Sequence, residues 1–249
     1  MTHHGPPRPS APGHLRLATY NIHKCRGMDG RTRVDRIADV LASLDADVIA
    51  LQEVVGGGPE EDGQAAQIGA LLGMGWVMDS VRLLRGKGYG NVVLSRLPIT
   101  KTHQCDLSCD KREPRGCMRV DIDVHGQHLH VFNVHLGTAV FERRKQAPRL
   151  AEFVADRHVP GPKVLLGDFN EWVKGLTSKT LGEMLEGVDL SHHLRRRKTY
   201  PGVLPMFHLD HIYTAGGLEV QKVTLPRTKL TLVASDHLPL VADVTMPER

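Results

Sequence analysis

The sequence predicts an α/β fold built as two facing, pseudo-symmetric halves. Two strand–helix–strand units carry that prediction. The first runs from LRLATYNI (15–22) through a helix to DVIALQEV (47–54). The second runs from a strand ending FNVH (132–135) through FERRKQAPRLAEFVADR (141–157) to PKVLLGDFN (162–170). Each unit closes with an acid at the tip of its second strand, Glu53 or Asp168. The spacings are alike, 32 positions from Asn21 to Glu53 and 35 from Asn133 to Asp168. The alternative is two ordinary units that match by coincidence.

Each element has its own justification. LRLATYNI alternates as a strand does. In the helix that follows, Val34, Ile37, Val40, Leu41 and Leu44 share one face, and Thr32 with Asp35 has the pattern of a capping box, which starts the helix at Thr32. DVIALQEV is an apolar run that ends as a buried strand at Glu53. Residues 56–63 are Gly-rich and acidic, a loop. GQAAQIGALLG (63–73) suggests a short helix, and WVMDSVRL (76–83) and YGNVVLSRLPI (89–99) read as strands. Residues 101–117 read as a long irregular loop. CMRVDIDVHGQHLHVFNVHL (117–136) is a hairpin turning at His125–Gly126–Gln127. Pro148 should kink or split the helix over 141–157. Further on, GEMLEGVDL (182–190) reads as a helix. MFHLDHIYT (206–214) and TLVASDHLPLVADVT (231–245) read as strands, the last interrupted by Ser235, Asp236 and His237.

Composition narrows the function. The 249 residues fit a single domain over 15–249, behind a leader (1–14) rich in Pro, Gly and His that is expected to be disordered. That leader lacks the apolar stretch of a signal peptide. No apolar run approaches the ~20 residues of a membrane span, so a cytoplasmic location is expected. A formal charge of +4 suits an anionic ligand, while 4% aromatic residues argue against a surface that stacks several bases. The densest basic run, Arg195 to Lys198, is read first as a solvated loop and second as a phosphate-binding patch. Cys25, Cys105, Cys109 and Cys117 match no standard zinc spacing, even with His103, and are read as reduced thiols in a loop.

The residues that carry chemistry sit at strand ends: Asn21, Glu53, His135, Asp168, Asn170, Asp210, Asp236 and His237. Taken singly, each has an ordinary structural use. Together they place an acid, amide or imidazole at nearly every strand tip, where α/β proteins build sites. A hard cation such as Mg²⁺ takes one or two carboxylates and leaves its other positions to water and phosphate. Glu53 is the best direct ligand, supported by Asn21. Asp168 and Asn170 lie two apart, so an extended backbone projects both to one side and turns Phe169 into the core. The carboxylate is then able to orient and deprotonate a water, and the amide to donate to a phosphoryl oxygen. Asp210 and His237 suggest a carboxylate–imidazole pair that holds a phosphate oxygen, and Asp236 would serve the metal or the water.

ATYNIHK, DVIALQEV, YGNVVLSRLPI, FNVHLG, LLGDFNEW, LDHIYT and ASDHLPLVADV resemble, in order, the motifs of the endonuclease/exonuclease/phosphatase superfamily, from about Leu15 to Val244. The resemblance implies a four-layer α/β sandwich of two facing mixed sheets flanked by helices. It implies Mg²⁺ or Mn²⁺ on Glu53 with Asn21 and Asp236 nearby, Asp168 positioning the attacking water and Asn170 stabilising the transition state. It also implies that the Asp210–His237 pair grips the scissile phosphate. His135 falls where deoxyribonuclease-like members carry a His that contacts the phosphate or helps the leaving group, and Asn91 and Arg115 fall at substrate-side contacts. The sequence departs from the pattern at His23, where an Asp is common, at His211, where bacterial relatives tend to carry Arg, and at Pro148. The expected activity is hydrolysis of a phosphodiester or phosphomonoester. Nucleic acid is slightly ahead as substrate. Phospholipid of the sphingomyelin type is the alternative, with peripheral lipid contact through Val203–Met206, and a non-catalytic nucleic-acid or membrane-binding module is a third class.

Overall fold

A computed structural model describes residues 13–58, 61–172, 175–188 and 190–248. The strands are β1 (His14–Asn21), β2 (Val48–Val55), β3 (Gly75–Leu84), β4 (Lys87–Ser95), β5 (Ile99–Asp106), β6 (Gly116–Val124), β7 (Gln127–His135), β8 (Lys163–Asp168), β9 (Glu186–Gly187), β10 (Asp210–Ala215), β11 (Glu219–Thr224) and β12 (Leu240–Thr245). The helices are α1 (Val34–Leu44), α2 (Gln64–Leu72), α3 (Val140–Val154), α4 (Leu176–Gly182), α5 (Leu190–His193) and α6 (Lys229–Ala234).

The strands form two six-stranded mixed sheets, ordered β11-β12-β1-β2-β4-β3 and β5-β6-β7-β8-β10-β9. Both read antiparallel, antiparallel, parallel, antiparallel, antiparallel across that order. The single parallel pair in each is the predicted strand–helix–strand unit, β1–β2 or β7–β8. The expected pseudo-symmetry of two halves is therefore present in the topology.

Alternation explains the layers. Leu15 and Leu17 of β1 join Val120, Val131, Val164, Leu166 and Ile212 in an apolar layer between the sheets. The opposite parity, Ala18 and Tyr20, packs outward on Ile37, Val40 and Leu41 of α1. Phe132, Leu165 and Tyr213 likewise pack outward on Leu150 and Val154 of α3. The result is the four-layer α/β sandwich of facing mixed sheets. Among the described residues, no helix is long and apolar enough to cross a membrane.

Several boundaries differ from expectation. Helix α1 starts at Val34, with Arg33 at its N-cap and no side-chain cap; the Thr32 backbone is instead engaged in a bridge to Arg26. Residues 101–106 are not loop but continue β5, an edge strand whose mostly exposed residues hide the alternation, so the irregular stretch is 107–115. Cys105 and Cys117 therefore face each other across paired strands rather than lying in a loop, and all four thiols are free. Helix α3 runs unbroken through Pro148. The 182–190 helix is absent: α4 ends at Gly182, and β9 follows. Residues 231–234 form the end of α6, capped by Thr228 Oγ1 accepting from the Thr231 N–H at 3.1 Å, so the last strand begins only at Leu240. Strand β10 begins at Asp210 rather than Met206, and β11, an edge strand, was not foreseen. Residues 1–12 of the expected leader lie outside the described residues, and His14 already belongs to β1.

Candidate active site

The alternation that fills the core also builds the site. Asn21 has the parity of Leu15 and Leu17, His135 that of Leu129 and Val131, Asp168 that of Val164 and Leu166, and Asp210 that of Ile212. Each continues an inward-facing row past the last apolar residue and projects between the sheets at one end of the sandwich. Glu53 has the wrong parity for this, since Ile49 and Leu51 of β2 face the helices. A β-bulge corrects it. The β2–β4 register shifts between Leu51 and Val54, both of which face outward, and Glu53 adopts a left-handed φ of 58°. The extra residue re-aims the carboxylate into the cleft.

Asp168 is the hub. Its Oδ2 accepts from Asn21 Nδ2 at 3.0 Å and lies 3.5 Å from Nε2 of both His135 and His237. Its Oδ1 accepts from the Asn170 backbone N–H at 2.9 Å. Asn21 Nδ2 also reaches Glu53 Oε1 at 3.3 Å, and Lys24 Nζ donates to Glu53 Oε2 at 2.6 Å. His237 Nδ1 and Asp210 Oδ2 are 3.0 Å apart, which makes the expected carboxylate–imidazole pair. His135 meets Arg115, whose Nη1 lies 3.0 Å from Nδ1 and 3.2 Å from Nε2 of the ring.

Charge separates the two imidazoles. Burial opposes protonation of His237, but Asp210, Asp168 and Asp236 carry its pKa up to about 10, so the ring is an imidazolium at neutral pH. Burial and the Arg115 guanidinium pull His135 down to about 4, against Asp168 and Glu53, so this ring is neutral. Burial raises a carboxyl, yet His135, Lys24 and Asn21 together hold Glu53 below the usual carboxylate range. Because His135 is itself uncharged at neutral pH, Lys24 is the cation that answers Glu53. Burial, with the nearby Asp210 charge, lifts Asp168 above its ordinary value despite the two imidazoles. A buried carboxyl raised in this way is suited to taking a proton.

The remaining expected residues fall around this centre. Asn170 is buried beside Asp168, but its φ of 48° shows that it has left the extended strand, so the two-apart projection from a straight backbone does not describe it. Its Nδ2 donates to Leu136 O at 3.0 Å, which leaves the second amide hydrogen for a ligand. Phe169 turns into the core as expected. Asp236 is set to one side, with Oδ1 3.6 Å from His23 Nδ1 and near Ser235, whose hydroxyl donates to Asn21 O at 2.7 Å. Asn91 faces inward and donates to Gly116 O at 3.0 Å. Arg195 to Lys198 are exposed, as are Val203, Leu204 and Met206. His211 packs edge-on to Phe169 at 5.3 Å.

Sequence reasoning passed over Lys24, Tyr89, Tyr200 and Asn133. Tyr89 lies beneath the Arg82 guanidinium at 4.2 Å, and Tyr200 packs on His237 at 5.0 Å. Asn133 lies deep between the sheets, where its amide donates to Leu51 O and Val92 O, each at 2.9 Å, and its Oδ1 accepts from Gln52 at 2.7 Å. Those two carbonyls flank the bulge that aims Glu53. For Asn133 the repeat of YNIH in FNVH was the available signal; for Lys24 the signal was its place directly after that motif.

The donor set suits a hard cation. Glu53 and Asn21 offer oxygen ligands, and a lysine ammonium already sits on Glu53. Among the described residues, the group of three ligating side chains within 4.8 Å of one another is Asp168, Asp210 and His237. A protonated imidazole bonded to Asp210 has no lone pair to give a metal, so that trio serves proton and phosphate chemistry better than ligation.

Comparison with known proteins agrees with the fold. The profile of the Endonuclease/Exonuclease/phosphatase family matches residues 18–237. A relative named uncharacterized protein YbhP, from Escherichia coli, is 30% identical over 252 residues, covering 92% of this chain and 96% of that protein. A solved endonuclease/exonuclease/phosphatase from Beutenbergia cavernae superposes with a TM-score of 0.75 at 25% identity, over 94% of this chain and 72% of that one. D. rerio TDP2 complexed with a single-strand DNA product shares the fold at 16% identity and a TM-score of 0.73, over 94% and 99% of the two chains.

Proposed function

The chain belongs to the endonuclease/exonuclease/phosphatase family, and on that premise we propose that it is a divalent-metal-dependent phosphohydrolase. It cleaves a phosphodiester, or a phosphomonoester, by in-line attack of water. One observation carries the proposal: Asn21 and His237 from around one sheet and His135 and Asn170 from around the other all converge on the Asp168 carboxylate.

Roles follow from protonation and reach. Asp168, its pKa raised, orients the water and takes its proton. His237, an imidazolium braced by Asp210, holds a phosphoryl oxygen. Asn170 donates its spare amide hydrogen to the same group as charge builds. Neutral His135 and Arg115 face the ester's organic side. Glu53, with Asn21 and Asp236, would hold Mg²⁺ or Mn²⁺, which when bound offsets charge on the phosphoryl oxygens. For substrate, nucleic acid is supported by the exposed Arg195–Lys198 run and by the fold shared with a DNA-binding TDP2. Phospholipid is supported by the exposed Val203–Leu204 loop tip.

The test is turnover of bis(p-nitrophenyl) phosphate and p-nitrophenyl phosphate with Mg²⁺ or Mn²⁺, then plasmid DNA, RNA and sphingomyelin. EDTA should abolish turnover, and Glu53→Gln should lower it while raising the metal concentration needed for half-maximal rate. A protein that hydrolyses none of these esters with either metal, yet binds nucleic acid or vesicles, is a binding module instead.

A further inference from the structure

We propose that the cavity beside Arg115 is a specificity subsite that takes the hydroxyl groups of a polyhydroxylated moiety on the substrate ester, with Asp79 as its anchor. The inference rests on the phosphohydrolase reading and narrows its substrate.

The cavity lies at the edge of the sandwich where β3 and β5, the outer strands of the two sheets, come together. Its volume is about 290 Å³, and Asp79, Ser80, Gln104, Asp106, Ser108 and Arg115 contribute to its lining. It opens one residue from the active centre. Asp79 is the register partner of Asn91, whose amide donates to Gly116 O, and Gly116 is the register partner of His135. Arg115 lines the cavity and contacts the His135 ring. The sheets approach so closely here that a methyl group on Gly116 would lie 2.8 Å from Val81 Cγ1 and 3.1 Å from Asp79 Oδ2.

Asp79 is the independent sign of a ligand. It is only 5% exposed, yet no hydrogen bond or ion pair to its carboxylate occurs among the described residues. A buried carboxylate without donors is costly. Burial and the charge of Asp106 push its pKa above the ordinary value, so its surroundings do not answer its charge. Asp106 is itself satisfied in part by the Ser108 N–H at 2.8 Å. Its oxygens open onto the cavity, where water supplies donors until a ligand takes their place.

Chemistry selects among donors. Two carboxylates repel a second phosphate, which disfavours a polyanion lying along this edge. No third ligating side chain joins Asp79 and Asp106, since the trio found among the described residues lies elsewhere, and a looser cation site on the two carboxylates is an outcome that the experiment tests. An ammonium group would use only acceptors, but Gln104, Ser80, Ser108 and Arg115 also offer donors. A hydroxyl both donates and accepts, and several on one ring match the mixed lining. The volume sits at the low end of small-molecule pockets, roughly 300–1,000 Å³, which suits one ring rather than a chain of them.

The experiment is calorimetric titration of the full chain in EDTA, where turnover stops, with glucose 6-phosphate, glycerophosphoinositol and phenyl phosphate. At least one polyol ester should bind at least tenfold tighter than phenyl phosphate. Which of the two does so separates a sugar phosphate from a lipid headgroup. Asp79→Asn should erase the preference, and so should Asp106→Asn at an exposed position that cannot disturb the core. If Asp79→Asn fails to fold, Asp106→Asn decides. A wild-type protein without the preference overturns the subsite, as does a variant that keeps it. Stoichiometric Ca²⁺ binding, titrated separately after EDTA is removed and lost in Asp79→Asn, also overturns it, in favour of a cation site. Hydrolysis is measured separately: a preserved binding preference with no turnover in Mg²⁺ or Mn²⁺ supports the subsite and removes the phosphohydrolase reading.

Discussion

Asp168 shows how much a single side chain is asked to do. It is 1% exposed, accepts from Asn21 and from the Asn170 backbone, and stands between two imidazoles of opposite protonation. Asp168→Asn keeps the shape and one accepting oxygen, but turns its NH2 toward a donor on the other side, Asn21 or the Asn170 N–H, so one hydrogen bond is lost and the fold should survive with reduced stability. What it removes is the proton acceptor and part of the field that holds His237 charged. We expect kcat to fall by about 10²- to 10⁴-fold, the usual worth of a general base, with the circular dichroism spectrum unchanged. A wild-type rate in this variant would take the water-activating role away from Asp168. Its place in the site was legible, because LLGD continues the alternation of a core strand out to a charged tip. Glu53 was legible as an acid but not in its aim, since the bulge that turns it reverses the parity the letters imply. Lys24 was harder still. It sits within three successive left-handed residues, His23 to Cys25, a backbone that L-residues adopt rarely and that no local pattern announces.

At the scale of elements, the hairpin of β6 and β7 was the plainest feature. Its two strands alternate, and His125–Gly126 supply the two positive φ values, 53° and 83°, that a tight two-residue turn requires. Edge strands β5 and β11 were obscure for the opposite reason, because neither buries a clean apolar face. Helix α6 was mistaken for strand because LTLVA is short and apolar; only the Thr228 cap distinguishes it. The hairpin also carries a polar cluster remote from the active centre. Asp121 and His130 are cross-strand partners, with Oδ1 2.7 Å from Nδ1, and Arg119 Nε lies 3.0 Å from the same oxygen. Burial raises the Asp121 pKa, but the bond and charge of His130 and the charge of Arg119 outweigh it and leave the pKa below its ordinary value. A carboxyl with a depressed folded pKa stabilises the protein above its unfolded pKa of about 3.9, and that contribution is lost as pH falls through the folded value. Asp121→Asn should therefore destabilise the chain at pH 7 by about 3 kcal/mol, since Arg119 stays buried without its countercharge. The gap should begin to narrow below about pH 4 and shrink further as pH falls through the folded value. Urea midpoints measured from pH 7 down to pH 3 check this; a constant gap across that range would show that the Asp121 charge is not what the hairpin uses.

For the whole molecule, the question is how two sheets that share an inner apolar layer, each with its own outer one, keep one site in register. The strand–helix–strand repeats announced two halves, and the tips carrying Glu53 and Asp168 announced that the halves meet. What the sequence could not display is the bond that joins them at depth. Asn133, from β7 in one sheet, reaches across to Leu51 O and Val92 O in the other, where the bulge has opened the β2–β4 ladder, and it accepts from Gln52. Fully buried, it gives two carbonyls beside the bulge a donor from the opposite sheet. The bulge in turn aims Glu53, so an amide without contact to substrate fixes the position of the expected metal ligand. Asn133→Leu preserves volume and takes the amide donor from two carbonyls in an apolar layer, while the Gln52 amide keeps Thr19 Oγ1 and Ala50 O. At about 1–3 kcal/mol for each buried group left unpaired, the loss should reach about 3–5 kcal/mol in urea unfolding. A loss of stability alone would mark Asn133 as ordinary core. The role argued here requires a second effect in the protein that remains folded: Mg²⁺ affinity, read by calorimetry at low temperature, should weaken at least tenfold. Leu166→Val, a substitution in the same inter-sheet layer, should leave it within about twofold. Equal metal affinity in the two variants would mean that Glu53 holds its aim without help from the other sheet.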